Sequence, residues 1–240
     1  MKETGKISVN SDNLMPIIKK WLYSDRDIFI RELVSNGVDA ISKYKKLVEM
    51  GSANNQDAYK VIVCADKDGG TLTFTDNGIG MTKEEVEKYI NQVAFSGAAD
   101  FLEKYEDESN SIIGHFGLGF YSAFMVSDDV TVESRAYGED SAFCWHSVGA
   151  DGYTISPCEK DSVGTVITLK IKESTEEENY DEFLDQYRIS NLVKKYSDYI
   201  RHPIRMDFTS KKPVGGKEGE YEDVTELRTL NSMIPLWKKS

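Results

Sequence analysis

Four polar side chains, Glu32, Asn36, Asp39 and Lys43, are spaced by four, three and four residues. At about 100° per residue they fall within roughly 60° of one another on a helix. They border an apolar arc of Leu33, Ala40, Tyr44 and Leu47, while Arg31, Ser42 and Lys45 take the opposite, solvent side. A carboxylate, an amide, a second carboxylate and an amine in a row beside a buried face suit the wall of a pocket. A solvated face laced with intrahelical ion pairs has the same spacing, so this helix alone leaves both open.

Two other stretches could share such a pocket. Asp76 closes a strand-like run and is followed by Gly78 and Gly80, which allow close backbone approach or positive φ. Gly114, Gly117 and Gly119 lead into a small apolar helix start. The unpaired N–H groups and positive dipole end of a helix N-terminus suit phosphate. A single Gly-x-Gly is usually just a turn. Gly78-Ile-Gly80 and Gly117-Leu-Gly119 both lack the third glycine of the dinucleotide fingerprint, and no GxxxxGK[ST] loop occurs.

The bulk composition narrows the classes. Charged residues make up 29% of the 240 and apolar ones 40%, a folded rather than disordered balance. A formal net charge of −12 argues against a general nucleic-acid binder, whose affinity rests on a basic surface. A polyanionic ligand must therefore meet local positive ends and a cation. Cys64, Cys144 and Cys158 are scattered and the three histidines lie far apart, which suggests neither a disulfide framework nor a zinc site. The opening residues have no apolar core for a signal peptide, and no run reaches membrane-spanning length. The cytosol is the expected compartment, with no membrane partner.

The elements that must position these groups follow from pattern and turn chemistry. Residues 7–11 suit a short strand, and Leu14, Ile17, Ile18, Trp21 and Leu22 an amphipathic helix that tolerates Pro16 in its first turn. Ser24 with Asp27 reads as a capping box for the central helix, which should run to about Met50. Residues 60–66 and 71–75 form a hairpin around Asp66–Gly70. Thr82 with Glu85 is a second capping box, starting a helix through Val86, Tyr89, Ile90 and Val93. A short helix is expected from Ser96 and a charged, mobile stretch over 103–111. Strands are expected at 129–136, 141–147, 152–156, 164–172 and 204–208, and helices at 179–186 and 190–201. Residues 211–220 read as a flexible excursion. The division expected is one main domain over 1–210, and a charged loop and onward connection over 211–240. Helices mixed with antiparallel-looking strands make the class α+β.

The combination Glu-x-x-x-Asn, Asp-x-Gly-x-Gly and Gly-x-x-Gly-x-Gly-Phe-Tyr-Ser-Ala resembles the ATPase superfamily of DNA gyrase, histidine kinases, mismatch-repair proteins and the ninety-kilodalton heat-shock proteins. Ile28–Asn36, Asp76–Thr82 and Phe116–Val126 most resemble the N-terminal domain of the last of these. So do the opening through Leu22-Tyr-Ser24, Gly164-Thr-Val166 and Tyr196-x-x-x-Ile-x-x-Pro-Ile204. The resemblance covers nearly the whole chain. It implies a two-layer sandwich, a mostly antiparallel mixed sheet covered on one face by helices that form the nucleotide pocket.

The resemblance also implies roles. Glu32 would be the general base acting on the attacking water, and Asn36 the one protein ligand of Mg²⁺. Asp39 and Lys43 would support the ribose-phosphate end of ATP or ADP. Asp76 would accept from the adenine amino group, with Thr165 helping to hold a bridging water. Gly80 would leave room for the base, and Ile79, Met81, Val132 and Trp145 would surround it, with Ile90 also at the site. The turn Gly114, His115, Phe116, Gly117, Leu118, Gly119, with Phe120, would donate N–H groups to phosphates. Residues of about 77–120 would be a lid over the nucleotide. Tyr89 and Phe95 stand where the family usually has Asn and Lys, and His115 where it has Gln, so lid closure or affinity can differ here. The implied function is that of a weakly hydrolysing ATPase domain of a chaperone that assists folding of client proteins. The resemblance further implies a longer protein, with a middle domain that supplies an arginine and a C-terminal domain that dimerises. These 240 residues would then be a monomeric fragment. The rival is the ATPase core of a gyrase-like or mismatch-repair-like DNA-processing protein, which the Phe120–Phe124 run and the acidic balance disfavour. A histidine kinase is disfavoured because no phospho-acceptor helix precedes the domain.

Overall fold

One long helix lies across one face of one broad sheet in the computed structural model, which describes residues 25–90, 119–149, 152–213 and 221–234. The helix, α1, spans Ile28–Glu49. Its start differs from the expected capping box. Asp27 is itself the N-cap residue, in αR conformation and without a side-chain cap bond. Its N–H is held by Asp25 Oδ1 at 3.0 Å, and its carboxylate by Arg188 at 2.6 Å. Ser24 lies outside the described residues.

The end of α1 is a Schellman motif. Gly51 adopts φ +73°, Ser52 N–H donates to Leu47 O at 2.8 Å and Gly51 N–H to Val48 O at 3.0 Å. The buried side of α1 is also wider than the expected arc and is centred elsewhere. Phe29, Ile30, Val34, Gly37, Val38 and Ile41 are buried with Leu33 and Tyr44, whereas Ala40 and Leu47 are half-buried. Two packed neighbours, the sheet and a second helix, take more of the helix surface than one apolar stripe provides.

The eight strands are β1 Val61–Asp66, β2 Thr71–Asp76, β3 Ser127–Arg135, β4 Ala142–Ser147, β5 Thr154–Cys158, β6 Gly164–Ile171, β7 Ile204–Pro213 and β8 Tyr221–Thr229. Their order in the sheet is β5-β4-β3-β6-β2-β1-β7-β8. Among the described residues only β1 and β7 pair in parallel; the other neighbours are antiparallel. A mixed, mostly antiparallel sheet with helices on one face is the α+β two-layer arrangement expected.

Alternation decides which face is inside. Leu72, Phe74 and Asp76 of β2, Val130, Val132 and Ser134 of β3, and Thr165, Ile167 and Leu169 of β6 are the buried positions, and they pack beneath the helices. Phe29 of α1 meets Phe74 and Phe183 edge to face, at 6.3 and 5.2 Å between centroids. Three members of this inward set, Asp76, Ser134 and Thr165, are polar. They gather where α1 and β2 converge.

Elsewhere the local expectations shift. The helix expected over 179–186 is a four-residue 3₁₀ turn, Asp181–Leu184. The next helix, α3, spans Gln186–Ser197 rather than 190–201. The cause is Asp185, extended at φ −88° and ψ 123°, whose carboxylate caps Tyr187 and Arg188. The helix starting at Thr82, α2, spans Lys83–Tyr89 and has the expected reciprocal capping box with Glu85. The small apolar helix start expected after the glycine turn is a 3₁₀ helix, Gly119–Met125. Lys211, Lys212 and Pro213, expected in a flexible excursion, continue β7, which therefore crosses position 210. β8 pairs with β7 through its whole length and was not anticipated. Its alternation is masked by charge, since it is exposed at nearly every position. The strand at 7–11, the helix near Leu14–Leu22, the helix from Ser96, the stretch 103–111, and Trp237 fall outside the described residues.

Candidate functional site

Asp76 reaches its place because Gly37 has no side chain. A Cβ at Gly37 would stand 3.1 Å from Val61 Cγ2 and 3.2 Å from Asp76 Cβ, so α1 lies directly on the end of β2. The turn that follows is fastened to the same helix. Ile79 N–H donates to Ala40 O at 3.0 Å, and a Cβ at Gly78 would collide with the Ala40 backbone at 2.4 Å. Gly80 has φ +68°, and a Cβ there would meet Arg135 O at 2.0 Å. Glycine is required at Gly80 on both counts.

Asp76 is 8% exposed, and its Oδ1 accepts from Gly78 N–H at 2.8 Å. Burial pushes its pKa up to about 7, against the opposing pull of the Gly78 and Thr165 N–H groups and of Lys160. A carboxyl at a core-facing position with no contacting cation among the described residues costs stability. Such a group is a candidate for ligand binding.

Two hydroxyls extend this patch across the sheet. Asp76 pairs in register with Thr165, and Thr165 with Ser134. Ser134 Oγ lies 2.9 Å from Thr165 Oγ1 and accepts from Met81 N–H at 2.9 Å. Sequence reasoning missed Ser134. The available signal was a small polar residue continuing the inward series Val130, Val132, Ser134. Val132 and Trp145 are in register with each other and almost wholly buried, so they form core beneath the site. Trp145 meets Phe120 edge to face at 5.5 Å, which ties this layer to the 3₁₀ helix.

The polar row of α1 meets the third stretch at Gly119. A Cβ there would fall 2.5 Å from Glu32 Oε2 and 3.3 Å from Glu32 Cβ. Arg31, though exposed as expected, turns back onto this carboxylate. Its Nε donates to Glu32 Oε1 at 2.9 Å, and Nη2 makes a closer contact with the same oxygen. Asn36 and Lys43 are half-buried and Asp39 is buried. Met81 is half-buried at the foot of α2. Ile90 is buried at the C-cap of α2, and its carbonyl accepts from the Tyr121 hydroxyl, whose pKa burial pushes up to about 12. That bond joins α2 to the 3₁₀ helix.

Thus Glu32 abuts Gly119, while Asp76 with Thr165 lies against the same helix at Gly37, next to Asn36. Gly114, His115, Phe116, Gly117, Leu118 and Phe95 fall outside the described residues. A different cavity of about 530 Å³ lies past the Asp76 turn, among Tyr44, Gln56, Ile62 and Thr75. Its lining shares Asp76 with the site but includes neither Glu32, Asn36 nor Thr165.

No group of three His, Cys, Asp or Glu suited to a metal occurs among the described residues. A small hard cation that keeps waters and takes oxygens from a phosphate ligand needs only one or two protein oxygens. The half-buried Asn36 amide, one turn from Glu32, fits that donor set.

A family model for histidine kinase-, DNA gyrase B- and HSP90-like ATPases matches residues 27–175. The chain is 51% identical over 238 residues to the chaperone protein HtpG of Bacillus subtilis (strain 168), which is 98% of this chain and 38% of that protein. It is 50% identical over 241 residues to the chaperone protein HtpG of Halalkalibacterium halodurans, 99% of this chain and 39% of that protein. The Clostridium botulinum (strain Loch Maree / Type A3) chaperone protein HtpG is 49% identical over 241 residues, 99% of this chain and 38% of that protein. The chain therefore spans under two-fifths of the length of the curated relatives it matches.

Proposed function

The chain belongs to the histidine kinase-, DNA gyrase B- and HSP90-like ATPase family, on the branch of the bacterial heat-shock chaperones, and from that membership we propose that it binds ATP and ADP through the Asp76–Thr165 patch and the polar row of α1. The observation that carries this is the buried Asp76 carboxyl, set opposite Thr165 on the sheet and against Gly37 on the helix. A site built to hydrogen-bond a base rejects one without the matching groups. Asp76 takes the adenine amino group, and Thr165 takes the neighbouring ring nitrogen directly or through a water. Ile79, Gly80 and Met81 supply the wall beside the base, with Ile90, Val132 and Trp145 behind it.

At the other end, Glu32 acts as general base toward the water that attacks the γ-phosphate. Arg31 must give up Glu32 Oε1 for this. Asn36 holds Mg²⁺, which when bound neutralises phosphate charge. Asp39 and Lys43 support the ribose and phosphates. The turn 114–119 with Phe120 offers N–H groups to the phosphates, and residues of about 77–120 act as the lid. Hydrolysis by this chain alone is weak, because the arginine that assists in this family comes from a domain beyond it. In the longer protein the domain serves a homodimeric cytoplasmic chaperone acting on client proteins, while this chain alone is monomeric. The DNA-processing alternative is not favoured: the relatives carry chaperone names, and the net charge is −12.

Calorimetric titration with Mg-ADP tests the reading. Micromolar or tighter one-site binding that Asp76→Asn weakens supports it. Unchanged affinity in the variant, or duplex DNA retained by the chain in a filter assay, sinks it.

A further inference from the structure

We infer that Ser134 is a specificity-determining positioning residue: it turns the Thr165 hydroxyl into a hydrogen-bond donor toward the base, so that the site takes adenine over a 6-oxopurine. The inference rests on the adenine-nucleotide reading above and adds to it a residue that does not contact the base.

Ser134 is fully buried. Its oxygen accepts from Met81 N–H at 2.9 Å. A serine hydroxyl has one proton to give. Two acceptors compete for it: Thr165 Oγ1 at 2.9 Å and Gly164 O at 3.4 Å. Bonds of the O–H···O type lie between about 2.5 and 3.0 Å, and 3.4 Å is long. Either hydroxyl of the Ser134–Thr165 pair can donate; we take the proton to go to Thr165, the nearer acceptor. Thr165 Oγ1 then accepts from Ser134 and keeps its own proton for a ligand. Ser134 is the only partner of that hydroxyl among the described residues.

The polarity of the chain is thus set from Met81 N–H through Ser134 to Thr165. Asp76, directly opposite Thr165 in the sheet, accepts only, once ionised. Side by side they present an acceptor and a donor. Adenine offers an amino donor at N6 and an acceptor at N1, which complements both. A water between Thr165 and N1 preserves the sense, since it accepts from one and donates to the other. Hypoxanthine offers an acceptor at O6 and a donor at N1, which opposes both. Asp76 supplies half of this discrimination, and the other half holds only while Thr165 cannot reverse. Without the Ser134 hydroxyl, Thr165 can rotate and accept, and Met81 N–H loses its acceptor.

The test is calorimetric titration of ADP and IDP, which differ only at the 6-position and its tautomer, into the wild-type chain, Ser134→Ala and Ser134→Thr. Circular dichroism and thermal melts check the fold of each. Wild type should prefer ADP by about a hundredfold or more, as expected of a site built on hydrogen bonds to the base. In Ser134→Ala the affinity for ADP should fall by about tenfold, and that for IDP by clearly less, so the ratio shrinks by about fivefold or more. Ser134→Thr, which keeps the hydroxyl, should restore the ratio even if both affinities drop. Equal losses for the two nucleotides in Ser134→Ala, or a ratio equally reduced in Ser134→Thr, overturn the inference while leaving the adenine site standing. Wild type that binds IDP as well as ADP removes the adenine reading itself. Should Ser134→Ala not fold, Ser134→Cys, which keeps the volume but weakens the donor, must narrow the ratio; an unchanged ratio there overturns the inference too.

Discussion

Glu32 lies beside Gly119: a Cβ on Gly119 would fall 2.5 Å from the Glu32 carboxylate oxygen, so a side chain there would push that carboxylate aside. The glycine therefore sets where that carboxylate can stand. In the protein extended to the length of its relatives, Glu32→Ala should leave ADP affinity nearly intact and slow hydrolysis by roughly 10²–10⁴-fold. Gly119→Ala should act in the same direction by displacing the carboxylate. Single-turnover hydrolysis beside calorimetric ADP affinity separates the two effects. Loss of binding in Glu32→Ala would mean a structural glutamate.

Asp76 should make the empty domain less stable as pH rises. Its folded pKa, about 7, lies above its ordinary value of 3.8. Between these values the unfolded chain ionises while the folded one holds its proton. Stability contributed by the protonated group is full below about pH 4 and is lost as pH rises through about 7. The loss at pH 8 is on the order of 4 kcal/mol. Asp76→Asn should therefore raise the urea midpoint at pH 8, with the gain fading toward pH 5, while weakening ADP binding by about 1.5–3 kcal/mol. Urea titrations of both proteins at pH 5 and pH 8 check the sign. A variant less stable than wild type at pH 8 would show that the ionised form is favoured by the fold.

Gly80 is constrained by φ +68° and by the Arg135 carbonyl 2.0 Å from its would-be Cβ. Gly80→Ala should cost about 1–3 kcal/mol in chemical denaturation. Because the shift moves the Ile79–Met81 backbone, ADP affinity should fall as well. A variant with wild-type stability would mean that the turn relaxes without strain.

Arg188 of α3 fastens the start of α1, donating to Asp27 at 2.6 Å and pairing with Glu182 at 2.8 Å. The Asp27 side chain is only 11% exposed. Arg188→Ala leaves that carboxylate near Lys195 alone, at 3.9 Å. The expected cost is about 1–2 kcal/mol, less than for a fully buried pair because Arg188 is partly solvated. Hydrogen exchange should quicken first at the amides of residues 28–31; exchange rising uniformly through α1 would argue against a local anchor.

Much was legible in one dimension because it is decided by neighbours in the chain. The hydrophobic spacing of α1, the hairpin of β1 and β2, the Thr82–Glu85 capping box and the alternation of β3 and β6 all depend on residues within a turn or two. The glycine-bearing motifs also pointed to the family, since their residue types are tied to close backbone approach. What the chain order could not express is contact across strands and between layers. Ser134 and Thr165 are 31 positions apart and meet only because β3 and β6 pair in one register. The addition of β8 was decided in the same way, by pairing along β7, whereas the start of α3 at Gln186 was decided locally, by the Asp185 carboxylate outweighing periodicity. Above all, Asp76, the end of a strand-like run in the sequence, becomes a buried carboxyl only in the fold. Its altered titration comes from the water that α1 and the sheet exclude, and that exclusion exists only in the assembled structure.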